Sequence, residues 1–158
     1  MSAPKIDSPD DDLPVRQFLT YRLNRVHARL NAQATRLLAQ YADVSLTQWR
    51  AIALMGDLGE TTLTSLSREG HLDKGLLSRT IKALITRGLV IARQDENDNR
   101  IQRLTLSPEG RKVFVRTLPR MQARQRFLHA ALTAGERTAL IKAMEKLEIA
   151  ADQTEFPE

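Results

Sequence analysis

Residues 73–100 run DKGLLSRTIKALITRGLVIARQDENDNR and change their period partway along. From Lys74 to Arg87 the apolar residues Leu77, Ile81, Leu84 and Ile85 recur at helical spacing, while Gly75, Ser78, Arg79, Lys82 and Thr86 fall together on the other side. Asp73 is placed to cap this helix, and Gly88 suits the left-handed position after its last turn. Leu89–Arg93 and Arg100–Leu106 then read as strands around the polar loop Gln94–Asn99, which contains no glycine or proline. The expectation is a hairpin with a long charged tip.

Working outward, Thr62–Glu69 is a short helical stretch with Leu63 and Leu66, broken at Gly70. Before it, Ser45 followed three residues later by Gln48 is a capping-box pattern, with Thr47 as an alternative cap. It opens a helix through Trp49, Ile52, Ala53 and Leu58 that Gly56 weakens and Gly59 stops. Upstream, Leu19, Leu23, Val26, Leu30, Ala34, Leu37 and Tyr41 lie three or four apart and mark one long helix. After the hairpin, Ser107 and Pro108 start another long helix carrying Val113, Phe114, Leu118, Met121 and Leu128, which Pro119 is expected to kink. Thr133 with Glu136 opens a last helix with Leu140, Ile141, Met144, Leu147 and Ala151 on one side.

The expected fold is therefore mainly α with a small β-hairpin wing. Residues 45–107 form a winged helix-turn-helix domain, and residues 15–44 together with 108–152 form a helical dimerisation region. The acidic, proline-rich residues 1–14 and the aperiodic residues 153–158 read as flexible tails.

Composition narrows the function classes. The chain has 158 residues, no cysteine, three histidines and a formal charge of +5. Without cysteine there is no disulfide framework, thiol nucleophile, thiolate zinc site or thiol redox sensor. The histidines stand at 27, 71 and 129 in different elements, and neither a phosphate-cradling glycine loop nor a nucleophile elbow is present, so no catalytic residues, cofactor or metal ligands are assigned. No apolar run approaches a membrane span and Asp10–Asp12 sit where a signal peptide needs a basic start, so a cytoplasmic protein without a membrane partner is expected. The charge is local: residues 1–61 hold seven cations and seven anions and residues 117–158 six of each, whereas residues 62–116 hold eleven cations and six anions.

That local excess coincides with the helix, turn, basic helix and basic hairpin, an order suited to double-stranded DNA. A major groove about 12 Å wide admits one helix, whose groove side must combine small residues with long donors. Gly75 and Ser78 supply the first; Lys74, Arg79 and Lys82 supply the second. Thr62, at the start of the preceding short helix, is a further DNA candidate. At the wing, Arg93, Arg100 and Arg103 are placed for phosphate and Asn97 for a neutral hydrogen bond. A solvated basic face, or a nonspecific architectural DNA binder without effector, stays open on these residues alone.

The stretches LTQWRAIALM (Leu46–Met55), LSRTIKALITRGLVIARQDENDNR (Leu77–Arg100) and LTLSPEGR (Leu104–Arg111) resemble the MarR family of winged-helix transcription regulators. In the wing that family favours Asp, two spacers, then Asp-Arg-Arg; here residues 95–100 read DENDNR, with one fewer cation at the tip. The resemblance implies a homodimeric, sequence-specific repressor whose first, fifth and sixth helices intertwine and which reads a pseudo-palindrome with half-sites about 34–36 Å apart. It also implies release from DNA by a small organic effector, such as an aromatic carboxylate. Tyr21, Arg25, His27, Trp49 and Arg50 could line that site, with Trp49 as a flat wall and Arg25 or Arg50 for the carboxylate. The bland alternatives are Trp49 in the core, His27 as a packing residue, and Arg22, Arg25, Arg29 and Arg36 as a solvated face or as partners of Glu145 and Glu148 across a dimer.

Overall fold

The computed structural model describes residues 14–154, and the tail readings at 1–13 and 155–158 lie outside the described residues. After a single turn at Val15–Gln17, the chain forms α1 (Leu19–Tyr41), α2 (Leu46–Leu58), β1 (Thr61–Thr62), α3 (Leu63–Gly70), α4 (Lys74–Thr86), β2 (Val90–Gln94), β3 (Gln102–Leu106), α5 (Pro108–Ala130) and α6 (Ala134–Ala151). The chain makes two compact units, divided between Phe114 and Val115.

Local chemistry sets the helix starts. Ser45 Oγ accepts from the Gln48 N–H at 3.2 Å while Gln48 Oε1 accepts from the Ser45 N–H at 3.0 Å, a complete capping box. Thr133 and Glu136 repeat it at α6, and the two hydrogen bonds from Thr133 to the Glu136 carboxylate hold its pKa below the ordinary value. Thr62 caps α3 through the Ser65 N–H at 3.2 Å, and Asp73 caps α4 through the Leu76 N–H at 2.7 Å.

In the first unit the core is built from Trp49, Ala51, Ile52 and Met55 of α2, Leu66 of α3, and Leu77, Ile81 and Leu84 of α4, closed by Leu89, Val90 and Leu104. Trp49 stacks on Phe114 at a ring separation of 6.2 Å. Gly56 makes that possible, since a Cβ there would stand 2.4 Å from the Phe114 ring. At the start of α5 the backbone of Gly110 approaches the Leu89 carbonyl so closely that a Cβ would lie 2.0 Å from the oxygen. The same corner is tied by Ser107, whose N–H donates to Leu89 O at 3.1 Å and whose Oγ donates to Gly88 O at 2.6 Å. α5 runs through Pro119 without interruption.

Several expectations are corrected. The two-stranded hairpin is a three-stranded antiparallel sheet in the order β1-β3-β2, with Thr61 opposite Leu104 and Thr62 opposite Arg103. The strands start later than read, at Val90 and Gln102, because the Leu89 N–H still bonds to Leu84 O and the Ile101 N–H turns back to Asp98 O. α4 ends at Thr86, with Arg87 as its cap residue and Gly88 left-handed at φ 69°. α3 includes Gly70, where a break was expected, and ends at the left-handed His71. On α4, Thr80 is buried where Ile85 was expected inward, its hydroxyl satisfied by Leu76 O at 2.8 Å. On α1, Ala34 and Leu38 are buried, whereas Leu37 is only half-buried and Tyr41 exposed.

Candidate nucleic-acid interface

α4 presents Lys74, Gly75, Arg79 and Lys82 to solvent, with Ser78 half-buried between them. Positions 75, 78, 79 and 82 share one face because the helix repeats every 3.6 residues. A side chain at Gly75 would meet Asp73 Oδ1 at 3.4 Å and come within 4.0 Å of Arg79 Nη1, so the glycine keeps the surface low beside the Arg79 guanidinium. Among the described residues, Lys74, Arg79, Lys82 and Arg93 take part in no ion pair. Their charge is therefore available to an external anion.

The wing is ordered by a residue that charge counting overlooks. Asp95 is buried; its Oδ1 accepts the N–H groups of Asn97 at 2.9 Å and Asp98 at 3.1 Å, and its Oδ2 accepts Arg103 Nε at 2.6 Å. The Asn97 N–H first, and then the Arg103 guanidinium, hold the Asp95 carboxyl below its ordinary value of 3.8, and Arg103 is raised in turn. The pattern of an aspartate followed by two polar residues at i+2 and i+3 is the signal of such a turn. At the tip, Asp98 Oδ1 accepts from the Arg100 N–H at 2.9 Å and from its Nε at 3.2 Å, yet the Arg100 side chain remains 92% exposed. Gln94 Nε2 donates to Asn99 O across the neck of the loop.

The residues singled out for DNA thus divide into two groups. Lys74, Gly75, Ser78, Arg79 and Lys82 lie together on α4, and Arg93, Asn97 and Arg100 are exposed on the wing. Arg103 is committed to Asp95 and Thr62 to the cap of α3, so both already hold the scaffold. Across the sheet Arg93, Arg103 and Thr62 occupy facing positions of the three strands.

The second candidate set separates. Trp49 is 5% exposed and belongs to the core, while Tyr21 and Arg25 are exposed on the first turns of α1. His27 and Arg50 are joined by a residue the sequence reading passed over: Asn31 Nδ2 donates to His27 Nε2 at 3.1 Å, and Asn31 Oδ1 accepts from Arg50 Nη2 at 2.8 Å. Its i+4 spacing from His27 was the available signal. Trp49 and Arg50 also border a cavity of about 370 Å³ with Ala53, Leu54, Asp57, Gly70 and Leu72. No group of three or more His, Asp or Glu capable of holding a metal ion occurs among the described residues, and no helix there is long and apolar enough to cross a membrane.

Two short helices at a tight turn, the second with an unpaired basic face, followed by an ordered basic hairpin, define a winged helix-turn-helix protein. The sequence profile of the MarR family matches residues 44–102. That match spans the second helix, the helix-turn-helix and most of the wing, so the likeness to the family lies in the winged segment. The HTH-type transcriptional repressor IacR of Pseudomonas putida is 23% identical over 116 residues, which is 73% of this chain and 66% of that protein, so just under two thirds of the relative is matched. Among solved structures, a MarR/EmrR family transcriptional regulator from Acinetobacter sp. ADP1 superposes with a TM-score of 0.81 at 20% identity, covering 90% of this chain and 100% of that one. BpsR of Bordetella bronchiseptica, whose DNA binding is regulated by 6-hydroxynicotinic acid, gives 0.77 at 20% identity over 86% and 96% of the two chains. At these identities the likeness is one of fold.

Proposed function

We propose that the chain is a homodimeric repressor that reads a pseudo-palindromic operator with α4 and the wing and releases it when a small aromatic carboxylate binds. The observation that carries the DNA reading is the set of four cations, Lys74, Arg79, Lys82 and Arg93, that form no ion pair among the described residues, within the segment that bears the net charge. An arginine on such a face can donate two parallel bonds to guanine, giving about 1–3 kcal/mol of discrimination. Arg100 and Arg93 supply phosphate contacts, and Asp95 with Arg103 stiffens the loop that carries them.

The dimer is supported by apolar side chains left in water: Leu19, Leu23 and Val26 on α1 and Leu140, Ile141 and Met144 on α6 are each at least 42% exposed. Two copies would bury these faces against one another. Residues 15–44 with 108–152 are accordingly the dimerisation region, and 45–107 the reading domain. For the effector, Arg50 offers a guanidinium positioned by Asn31 and His27 beside a cavity large enough for one aromatic ring, and the aromatic-acid response of a structural relative supports the class. Such a regulator works beside the chromosome, in the cytoplasm.

Selection of duplexes from a random library tests the reading. The expected result is enrichment of inverted half-sites about 10 base pairs apart, lost on addition of the effector. A panel of aromatic acids followed by thermal shift identifies the ligand, since an acid at about 100 times its Kd adds roughly 2.7 kcal/mol. Equal recovery of all duplexes would instead make the chain a nonspecific binder.

A further inference from the structure

The outermost residue of α4 is held by a clasp that the DNA reading does not use. Arg87, the residue that ends the helix, donates Nη2 to Asp43 O at 2.5 Å and to Asp43 Oδ2 at 3.1 Å, and Nη1 to Gln48 Oε1 at 3.1 Å. The acceptors lie at the corner between α1 and α2, about forty residues earlier in the chain. They are also prearranged. Gln48 Oε1 is fixed by the Ser45 N–H in the capping box, and Asp43 O belongs to the backbone of the turn. One planar guanidinium thus reads three oxygens whose positions are set by something else, which a point-charge ammonium cannot do.

We infer that Arg87 is a positioning residue for sequence discrimination: it sets the tilt of α4 against the α1–α2 corner and so the place of Arg79 and Lys82 in the groove. This inference rests on α4 being the helix that reads DNA. The apolar contacts of Leu77, Ile81 and Leu84 determine which face turns inward, but burial is non-directional and tolerates small rotations and slides. Directional bonds at the helix end remove that freedom. α4 has 13 residues and is about 20 Å long, so a tilt of about 5° about Arg87 displaces the Lys74 end by about 1.7 Å and Arg79, about 12 Å from the pivot, by about 1 Å. That is enough to break a base contact whose donor and acceptor must stand about 3 Å apart. The ion pair in the clasp contributes little to stability, because its carboxylate partner is fully exposed and the guanidinium is about one third exposed. Its value lies in geometry.

The test uses Arg87→Ala, Arg87→Lys and Asp43→Ala in the full chain. Kd is measured for the duplex that wild-type protein selects from a random library and for a random duplex, at several salt concentrations. Both Arg87 variants are expected to lower the selected-to-random affinity ratio about tenfold, the equivalent of one misplaced bidentate base contact. The slope of affinity against salt on random duplex is expected to stay unchanged. Asp43→Ala, which leaves the carbonyl acceptor and an exposed surface, should give a smaller fall and serves as the variant least disturbing to the fold. If Arg87 instead touches phosphate, Arg87→Ala weakens both duplexes together and reduces the slope by about 0.9, while Arg87→Lys restores both. That pattern, or an unchanged ratio in all three variants, overturns the inference while leaving the regulator reading intact. A wild-type protein with no preference at all overturns both.

Discussion

Replacing Gly110 with alanine puts a methyl group where the Leu89 carbonyl already is. Its Cβ would stand 2.0 Å from the oxygen and 3.0 Å from the carbonyl carbon, whereas ordinary contact begins near 3.4 Å, so one side must retreat by about 1.4 Å. The obstacle is backbone, and no rotamer change relieves it. Retreat also stretches the bonds from the Ser107 N–H to Leu89 O and from Ser107 Oγ to Gly88 O, which tie the end of α4 and the entry to β2 against α5. Overpacking costs about 1–3 kcal/mol and a strained hydrogen bond about 1 more. Better helix propensity returns about 1, which leaves a net loss of roughly 1–3 kcal/mol. For a chain of this length that lowers Tm by about 2–12 °C. Gly135→Ala is the matched control, because it also lies in a helix first turn but has nothing within 4 Å of its Cβ position. It should gain up to about 1 kcal/mol and raise Tm by about 1–4 °C. Circular-dichroism melts of both variants check the opposite signs. A Gly110→Ala protein that melts at or above wild type would refute the packing argument.

Other expected outcomes concern the DNA surface. Arg79→Ala should reduce affinity for the selected duplex by about 1–3 kcal/mol more than for random duplex; equal losses in gel-shift titrations would remove its base-reading role. Arg100→Ala should weaken binding evenly across sequences and reduce the salt slope by about 0.9, and an unchanged slope would mean that the wing tip leaves the backbone untouched. For Asp95, the folded carboxyl lies below its ordinary 3.8, so its stabilisation is complete above that value and is lost as pH falls through the lower folded one. NMR titration should find the carboxyl ionised from about pH 7 down to about pH 4, and the amides of Asn97 and Asp98 should shift with it as it protonates. Amide shifts that follow a different titration would detach the wing turn from Asp95.

Much of the fold is legible from short-range chemistry. Ser45 with Gln48, Thr133 with Glu136, and Asp73 ahead of α4 are caps whose partners lie three residues away, so the sequence carries both halves of each bond. What escapes has its partner elsewhere. Thr61 and Thr62 make a strand only because β3 lies beside them, and two residues are too few to show alternation. Arg103 looks like a phosphate ligand by charge, but its nearest anion is the cross-strand Asp95, which only the folded loop brings to 2.6 Å. Leu37 and Leu38 both fit a helical stripe, and in the fold it is Leu38 that is fully buried. At the candidate effector site, His27 and Arg50 are nameable from their chemistry, whereas Asn31 gains meaning only once α1 and α2 lie side by side.

The small strand β1 bears on how the domain assembles. Its pairing of Thr61 with Leu104 closes a loop of about forty residues around α3 and α4. Closing such a loop costs chain entropy that is recovered only after the enclosed helices have collapsed. The helices can therefore condense on local contacts first, and the sheet edge joins late. In reverse, the two-residue edge is the cheapest part of the domain to open. Amide exchange at Thr61 and Thr62 should run ahead of exchange at Ile52 or Leu84, so the sheet edge can open while the helical core stays folded.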